Sequence, residues 1–263
     1  DYPFEDTIAP TEAIIYECSV RDMTMHPFTG TTTHGKFKSL CEDGTEYRGL
    51  PTGLNYIKSL GVTHVQFMPL TDFSTVDDFK PELNYNWGYD PRQYLSLKGS
   101  FSSDPDHPYV RMKEFKELVA CLHRNHLRVT LDVVFNHVYD VAESAFDCLV
   151  PYYYFRYNEE GYMSNGSYCG NDFASEMPMA SRYLVYVIRS LMQIYGIDGF
   201  RFDLMGIIDV ATMNKIRNEA IRNNPSALIY GEGWDMPTML QGSQKANIHN
   251  QGAMPHIGHF NDY

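Results

Sequence analysis

The sequence predicts an α/β fold of the (β/α)8 TIM barrel class, and three observations support this prediction. Short runs of β-branched and aromatic residues alternate with segments whose apolar residues recur at helical spacing. Charged residues stand at the ends of several runs, and enzymes with this barrel carry their functional residues at the carboxyl ends of the strands. No GxGxxG motif follows the first run, which argues against a doubly wound dinucleotide-binding sheet.

The first half of the chain is predicted to contain three strands and two helices. The strands cover residues 13–18, 62–68 and 127–135, and the third is apolar almost throughout, as in a strand buried on both faces. Thr52 is expected to cap the first helix and Gly61 to end it. The apolar positions at helical spacing are Leu54, Ile57 and Leu60 in the first helix and Met112, Phe115, Leu118, Val119 and Leu122 in the second.

Residues 138–177 break this alternation after the third strand. They include Tyr152-Tyr153-Tyr154 and several Gly and Asn residues but show no sustained period. We therefore expect one partial barrel over residues 1–263, with an irregular insertion of loops and short strands at 138–177.

The second half resumes the alternation of helices and strands. A helix over residues 181–195 precedes a strand over 197–203, and a helix capped by Asp209 precedes a strand over 227–232. Residues 257–260 are expected to begin a sixth strand. Because a closed barrel needs eight strands, the barrel is expected to be truncated after strand 5 or 6, with the remaining segment supplied by the parent chain.

Composition restricts the classes of partner. The formal charge of −12 argues against a nucleic-acid surface, and no apolar run is long enough for a membrane span. The 20 Tyr residues suit a carbohydrate ligand, because sugar rings stack their C–H faces on aromatic rings. The five cysteines form no CxxC pair, so neither a zinc site nor a disulfide framework is indicated, and unpaired thiols slightly favour the cytoplasm over an oxidising compartment.

Two carboxylates are the main candidates for catalysis. Asp203 and Glu232 lie 29 positions apart, each at the end of a predicted strand, so successive parallel strands would present them side by side on one rim. Such a pair can cleave a glycosidic bond, because one carboxylate attacks the sugar while the other protonates the leaving oxygen. The alternative is that each only caps a strand or pairs with an Arg. Arg201 alternates with two Phe residues and so points with Asp203, which favours catalysis.

Several motifs, in the same order along the chain, resemble the α-amylase superfamily of glycoside hydrolases and, within it, the type I pullulanases. The regions that resemble the superfamily are residues 132–137, 199–203 and 231–235, and the pullulanase-like stretch is Tyr85-Asn86-Trp87-Gly88-Tyr89-Asp90-Pro91. Residues 165–176 also fit the pullulanase pattern. The resemblance covers nearly the whole chain and identifies it as a fragment of a catalytic domain.

The resemblance implies a role for each site residue. Asp203 would be the nucleophile that forms a glycosyl ester with retention of configuration, and Glu232 would be the acid and then the base. Arg201 would hold Asp203 ionised and oriented. Asp132 and His137 would bind hydroxyls of the reacting sugar. Tyr89 would be the stacking platform beneath the same sugar.

The two Trp residues are further candidates for substrate binding. Trp87 lies in a loop with little apolar periodicity, which favours a binding role. Trp234 directly follows the acid, and it could either pack in the core or line the adjoining subsite.

The sequence departs from the family pattern in two places. Leu204-Met205 replaces the Lys-His pair that follows the nucleophile in calcium-dependent α-amylases, so no metal or other cofactor is predicted. Asn136 is the one residue that would fit a relic of the calcium site. The third catalytic carboxylate of the family should follow the sixth strand, and neither His259 nor Asp262 reproduces its motif.

The resemblance implies hydrolysis of α-1,6 branch linkages in pullulan, glycogen or starch. The alternatives are an α-1,4-glucan hydrolase or transglycosylase of the same superfamily, and a catalytically incomplete glucan-binding fragment. The 263-residue chain is expected to be poorly active alone, because a carboxylate and part of the barrel would be missing.

Overall fold

A computed structural model describes Phe4 and residues 7–261 of the chain. In chain order the strands are β1 (Ile15–Cys18), β2 (Glu46–Tyr47), β3 (Leu50–Pro51), β4 (His64–Phe67), β5 (Arg128–Val133), β6 (Gly199–Phe202), β7 (Leu228–Gly231) and β8 (Gly258–His259). The α-helices are α1 (Gly53–Ser59), α2 (Pro108–Arg124), α3 (Ala145–Leu149), α4 (Pro178–Tyr195) and α5 (Val210–Asn223). Short 3-10 helices lie in several of the connections.

The described strands form one six-stranded parallel sheet and one small hairpin. The sheet order is β1-β4-β5-β6-β7-β8, and the hairpin pairs β2 with β3. All five pairings within the sheet are parallel, so the carboxyl ends of the six strands meet at one edge. This strand order, with helices between the strands, confirms the prediction of a barrel-type sheet with fewer than eight strands.

Helices α2, α4 and α5 pack their apolar faces inward. The buried residues of α4 recur at helical spacing, and α4 ends where Gly196 takes a left-handed φ of 75°. Asp209 caps α5 as predicted, because its side chain accepts a hydrogen bond from Thr212 N at 2.8 Å. The buried apolar side chains on α4 and α5 include Leu184, Ile188, Leu191, Met213 and Ile216. Each contributes about 1.5–3 kcal/mol through burial.

Two details of α1 differ from prediction. Thr52 occupies the N-cap position, but its side chain makes no capping bond and its hydroxyl donates instead to the carbonyl of Thr29. Leu60 follows the last turn and is 38 % exposed, whereas Leu54 and Ile57 are buried. The predicted capping hydrogen bond is therefore absent, because the Thr52 hydroxyl bonds to Thr29 instead. The predicted burial of Leu60 is also wrong, because the helix ends at Ser59.

The segment 138–177 is irregular, with one short helix, α3, and isolated bridges rather than short strands. An ion pair formed by the buried Arg156 and a buried carboxylate organise its loops. Arg156 pairs with Glu176 at 2.8 Å and donates to Thr238 at 2.9 Å. Asp172 accepts hydrogen bonds from Ser164 and from the backbone of Gly166 and Ser167. Burial opposes ionisation of Asp172, but these bonds outweigh it and lower its pKa.

Among the described residues, no helix combines the length and the apolar character that crossing a bilayer requires.

Candidate active site

Arg201 is the centre of a cluster of carboxylates at the carboxyl edge of the sheet. Its Nη1 atom lies 3.0 Å from Asp132 Oδ1 and 3.0 Å from Asp203 Oδ1, and its Nη2 atom lies 2.6 Å from Glu232 Oε1. The guanidinium is buried, which tends to lower the pKa of Arg201, but the three carboxylates raise it above its ordinary value. One cation therefore links the three predicted acidic residues.

Strand register explains why these residues meet. Asp132 on β5 is the register partner of Arg201 on β6, and Phe202 on β6 is the partner of Gly231 on β7. Asp203 and Glu232 are the next residues after that last pair. Because both strands are parallel and in register, the two carboxylates leave the sheet at the same level, as predicted.

Both oxygens of the Asp203 carboxylate have a partner. Arg201 binds Oδ1, and Asn136 Nδ2 donates to Oδ2 at 2.8 Å and to the Asp203 carbonyl at 2.9 Å. Asn136 is fully buried. Sequence reasoning considered Asn136 only as a relic of a calcium site. Its position at the end of β5, one strand away from Asp203, was the signal that could have identified it.

Asp132 is buried between Arg201 and Tyr89. The Tyr89 hydroxyl donates to Asp132 Oδ2 at 2.7 Å, and Arg201 donates to both carboxylate oxygens. The pKa of Asp132 is raised to about 7, mainly by burial and also by the charge of Asp203, although Arg201 opposes both effects. Burial also raises the pKa of Tyr89 above its ordinary value, so the phenol stays a donor.

His137 lies beside this cluster with its ring largely enclosed. Its Nδ1 atom is 2.6 Å from Asn136 Oδ1, and because the amide oxygen can only accept, Nδ1 carries the proton. Burial lowers the pKa of His137 to about 4, so the imidazole is neutral at neutral pH. Its Nε2 atom is then an acceptor for a hydroxyl group.

The backbone after Asp203 is shaped to hold Glu232. Leu204 takes a left-handed φ of 40°, a conformation that costs a non-glycine residue about 1–3 kcal/mol. Its N–H donates to Glu232 Oε2 at 3.0 Å, and Gly206 N donates to the Glu232 carbonyl at 3.2 Å. Strained residues of this kind cluster at functional sites, which is consistent with a catalytic role for Glu232.

The remaining predicted residues lie farther from the carboxylates. Trp87 is 60 % exposed and donates to the Tyr85 hydroxyl at 2.8 Å, beside a cavity of about 320 Å³ lined partly by Met25 and Met68. Trp234 is half-buried. The substrate-binding roles of both Trp residues stay predictions. Phe260, which sequence reasoning did not select, places its ring 5.5 Å from the Arg201 guanidinium.

The residues present do not form an evident metal site. Across Phe4 and residues 7–261, no group of three or more His, Cys, Asp or Glu side chains is arranged to hold an ion. Asn136 does not fit a calcium ligand, because its amide oxygen accepts from His137 and its nitrogen donates to Asp203. His259 lies against Gly233 but supplies no carboxylate, and Asp262 falls outside the described residues.

Comparison with known proteins supports the same interpretation. The family described as "Alpha amylase, catalytic domain" matches residues 28–152. The pullulanase of Bacillus subtilis is 44 % identical over 99 % of this chain and 36 % of its own length. The crystal structure of Paenibacillus barengoltzii pullulanase with maltohexaose and α-cyclodextrin is 47 % identical, with a TM-score of 0.96 over 98 % of this chain and 40 % of that one. The chain belongs to the α-amylase family.

Membership of the α-amylase family confirms the resemblance that the motifs indicated. The chain is also similar to chloroplastic pullulanase 1 of Arabidopsis thaliana, with 32 % identity over 94 % of this chain and 30 % of that protein. The chain therefore spans about a third to two fifths of the length of these relatives.

Proposed function

We propose that the protein is a retaining glycoside hydrolase that cleaves α-1,6-glucosidic branch linkages in glucans such as pullulan, glycogen or starch. The observation that carries the proposal is the position of Asp203 and Glu232 on either side of one buried guanidinium. Two carboxylates held together at the carboxyl edge of a barrel sheet are the apparatus of this reaction.

In the proposed reaction each carboxylate has its own part. Asp203 attacks the anomeric carbon, and as the new C–O bond forms, the glycosidic bond breaks and Glu232 gives its proton to the leaving oxygen. Glu232 then takes a proton from water, the water oxygen attacks the anomeric carbon, and the ester to Asp203 breaks. Two displacements at one carbon retain its configuration.

The carboxylates would also stabilise the positive charge that develops on the sugar during this reaction. The transition state resembles an oxocarbenium ion, so positive charge appears at a sugar that was neutral when bound. Arg201 and Asn136 together fix both oxygens of the Asp203 carboxylate. An oriented anion of this kind stabilises the transition state more than the bound substrate.

The side chains around Asp132 are suited to binding the reacting sugar. Asp132 and neutral His137 can accept hydrogen bonds from hydroxyl groups, and the Tyr89 ring lies within 6.0 Å of the Arg201 guanidinium. This places an aromatic face at the edge of the carboxylate cluster, where one face of a sugar can stack.

Several relatives support the choice of linkage. Besides the pullulanases, the glycogen debranching enzyme of Salmonella typhi is 30 % identical over 79 % of this chain and 32 % of its own length. The rival function is an α-1,4-glucan hydrolase or a transglycosylase of the same family. A rival of another class is a glucan-binding fragment without chemistry, and the ordered Asp203–Arg201–Glu232 arrangement argues against it.

Product analysis with the natural protein that contains these residues separates the candidates. Maltotriose from pullulan supports debranching, whereas panose or shortened linear maltodextrins support the rival enzymes. Asp203→Asn should abolish turnover and leave glucan binding intact. The matched control is Asp43→Asn, at an exposed carboxylate that forms a surface ion pair with Lys58, and it should leave turnover unchanged. Unchanged turnover in Asp203→Asn would refute the assignment.

The 263-residue chain should be poorly active when it is made alone. Its described sheet has two open edges, β1 and β8, and a cleft of about 1030 Å³ lies between residues 7–15 and the β7–β8 side. Open strand edges and exposed apolar residues promote self-association. The purified chain is therefore expected to aggregate or dimerise. Pullulan turnover at the rate of a complete debranching enzyme would contradict this expectation.

A further inference from the structure

The irregular segment after β5 forms a second concave surface, separate from the carboxylate cluster. We call it the tyrosine groove. It has a volume of about 590 Å³, which is within the range of small-molecule sites. The side chains that define it are Tyr139, Asp140, Asp147, Tyr152, Tyr157 and Asn171.

Two rings of the tyrosine groove are displayed to solvent, and a third, Tyr157, is half-buried against the core. Tyr152 is 76 % exposed and Tyr139 is 49 % exposed. The ring centroids of Tyr152 and Tyr157 are 5.2 Å apart, so each ring supports the other. A rigid aromatic surface open to water is suited to stacking against the C–H faces of sugars.

The backbone holds Tyr152 in this exposed position at a cost. Its φ is 64°, in the left-handed region that disfavours residues with a side chain, and Asp147 accepts a hydrogen bond from its N–H at 3.3 Å. The segment around it is fixed to the fold by Arg156 and Asp172, as described above. Strained positions cluster at functional sites, so the φ of Tyr152 supports this groove as a candidate site.

The tyrosine groove lies close to the active site. Asn136 donates to Asp203, and only three residues later Tyr139 lines the groove, a separation of at most about 10 Å along the chain. Tyr139 N also donates to the carbonyl of Pro91, two residues after Tyr89. Cys169 lines the groove as well, and its pKa is raised by burial and by the nearby charge of Asp203.

The charges of the groove identify the kind of ligand. Among the described residues that line it there is no Lys or Arg, and Asp140 and Asp147 supply carboxylate oxygens. A phosphate or another anion would be repelled. A neutral polyhydroxyl ligand can donate hydrogen bonds to these oxygens while its apolar faces stack on the rings.

We propose that the tyrosine groove binds a glucan chain that continues from the sugar held at Asp203, so that long substrates are held at two places and short ones at one. This inference rests on the proposed function, because it takes its ligand from the reaction. It assigns a role in substrate-length preference to Tyr152 and Tyr157, which lie outside the catalytic cluster.

The test uses the natural protein with Asp203→Asn, which prevents turnover, and measures the Kd of maltotriose and maltohexaose by calorimetry. Tyr152→Ala and, separately, Tyr157→Ala should each raise the Kd of maltohexaose about three- to tenfold, as expected for the loss of one stacked ring. Maltotriose affinity should change by less than about twofold. Tyr152→Phe should keep maltohexaose affinity, because the ring remains.

Tyr162→Ala is the matched control, since Tyr162 is equally exposed on the same segment but does not line the groove. It should change neither affinity. The inference is overturned if Tyr152→Ala and Tyr157→Ala leave maltohexaose affinity unchanged. That result would also be expected if the rings contact another protein segment instead of a glucan. The inference is also overturned if the two substitutions weaken the binding of maltotriose and maltohexaose equally. Failure of the parent protein to bind either glucan would instead overturn the proposed function.

Discussion

Removing Arg201 should destabilise the protein strongly, and the loss should depend on pH. Arg201→Met keeps an apolar chain in place of the aliphatic part of Arg but loses the cation that contacts Asp132, Asp203 and Glu232. Without Arg201, the charge of the buried Asp132 would lose the cation that it contacts. Removing one partner of a buried ion pair costs about 3–5 kcal/mol of unfolding free energy, and we expect a loss of this size when Asp132 is ionised.

The sign of the pH dependence follows from the pKa of Asp132, which burial raises to about 7. A carboxyl whose pKa is raised on folding gives full stability below its unfolded value, and that stability is lost as pH rises through the folded value. Without Arg201 the folded pKa rises further. Each added unit removes about 1.4 kcal/mol more stability, and this extra loss falls above about pH 7.

Urea unfolding at about pH 5 and about pH 8 measures this effect. At the lower pH Asp132 is protonated in both proteins, so Arg201→Met should cost clearly less than at the higher pH. Arg182→Met, at an exposed position on α4, should change stability by no more than about 0.5 kcal/mol at either pH. Equal losses for Arg201→Met at both pH values would refute the argument.

Three further changes test other parts of the site and fold. Asn136→Ala removes a hydrogen bond to the nucleophile and should lower kcat/KM about 10- to 100-fold, measured on pullulan. Gly206→Ala should lower kcat about 100-fold, because its Cβ would overlap the carbonyl of Trp234, whereas Gly242→Ala meets nothing and should be neutral. Burial lowers the pKa of His64 to about 4, so stability should fall as pH drops from about 6.5 towards 4. His64→Gln should flatten that slope in urea unfolding.

Asp203 and Glu232 could be predicted to lie together because the sequence signal for each is local. Each follows a short strand, and parallel strands in register need no further information to bring their ends to one edge. The direction of Arg201 also follows from alternation along its strand. These predictions required only the period of a strand and the parallel arrangement of neighbours.

Other features depended on contacts between distant residues and could not be predicted. The hydroxyl of Thr52 serves Thr29, which lies 23 positions earlier, so a good capping residue made no cap. The segment 138–177 has no period because its buried apolar residues, such as Phe155 and Phe173, lie on loops whose turns are held by polar side chains such as Asp172. A hydrogen-bond network of this kind leaves little pattern in the sequence.

The same carboxylates explain both a weakness of the fold and the chemistry proposed for it. Asp132, Asp203 and Glu232 share one guanidinium, so the cluster carries more negative than positive charge when they are ionised. Burying this excess opposes folding, which the raised pKa of Asp132 records. The excess negative charge contributes little to the binding of a neutral glucan. It stabilises the transition state, in which positive charge develops on the sugar ring. Substitutions that relieve the charge, such as Asp132→Asn, should therefore stabilise the protein while they reduce turnover.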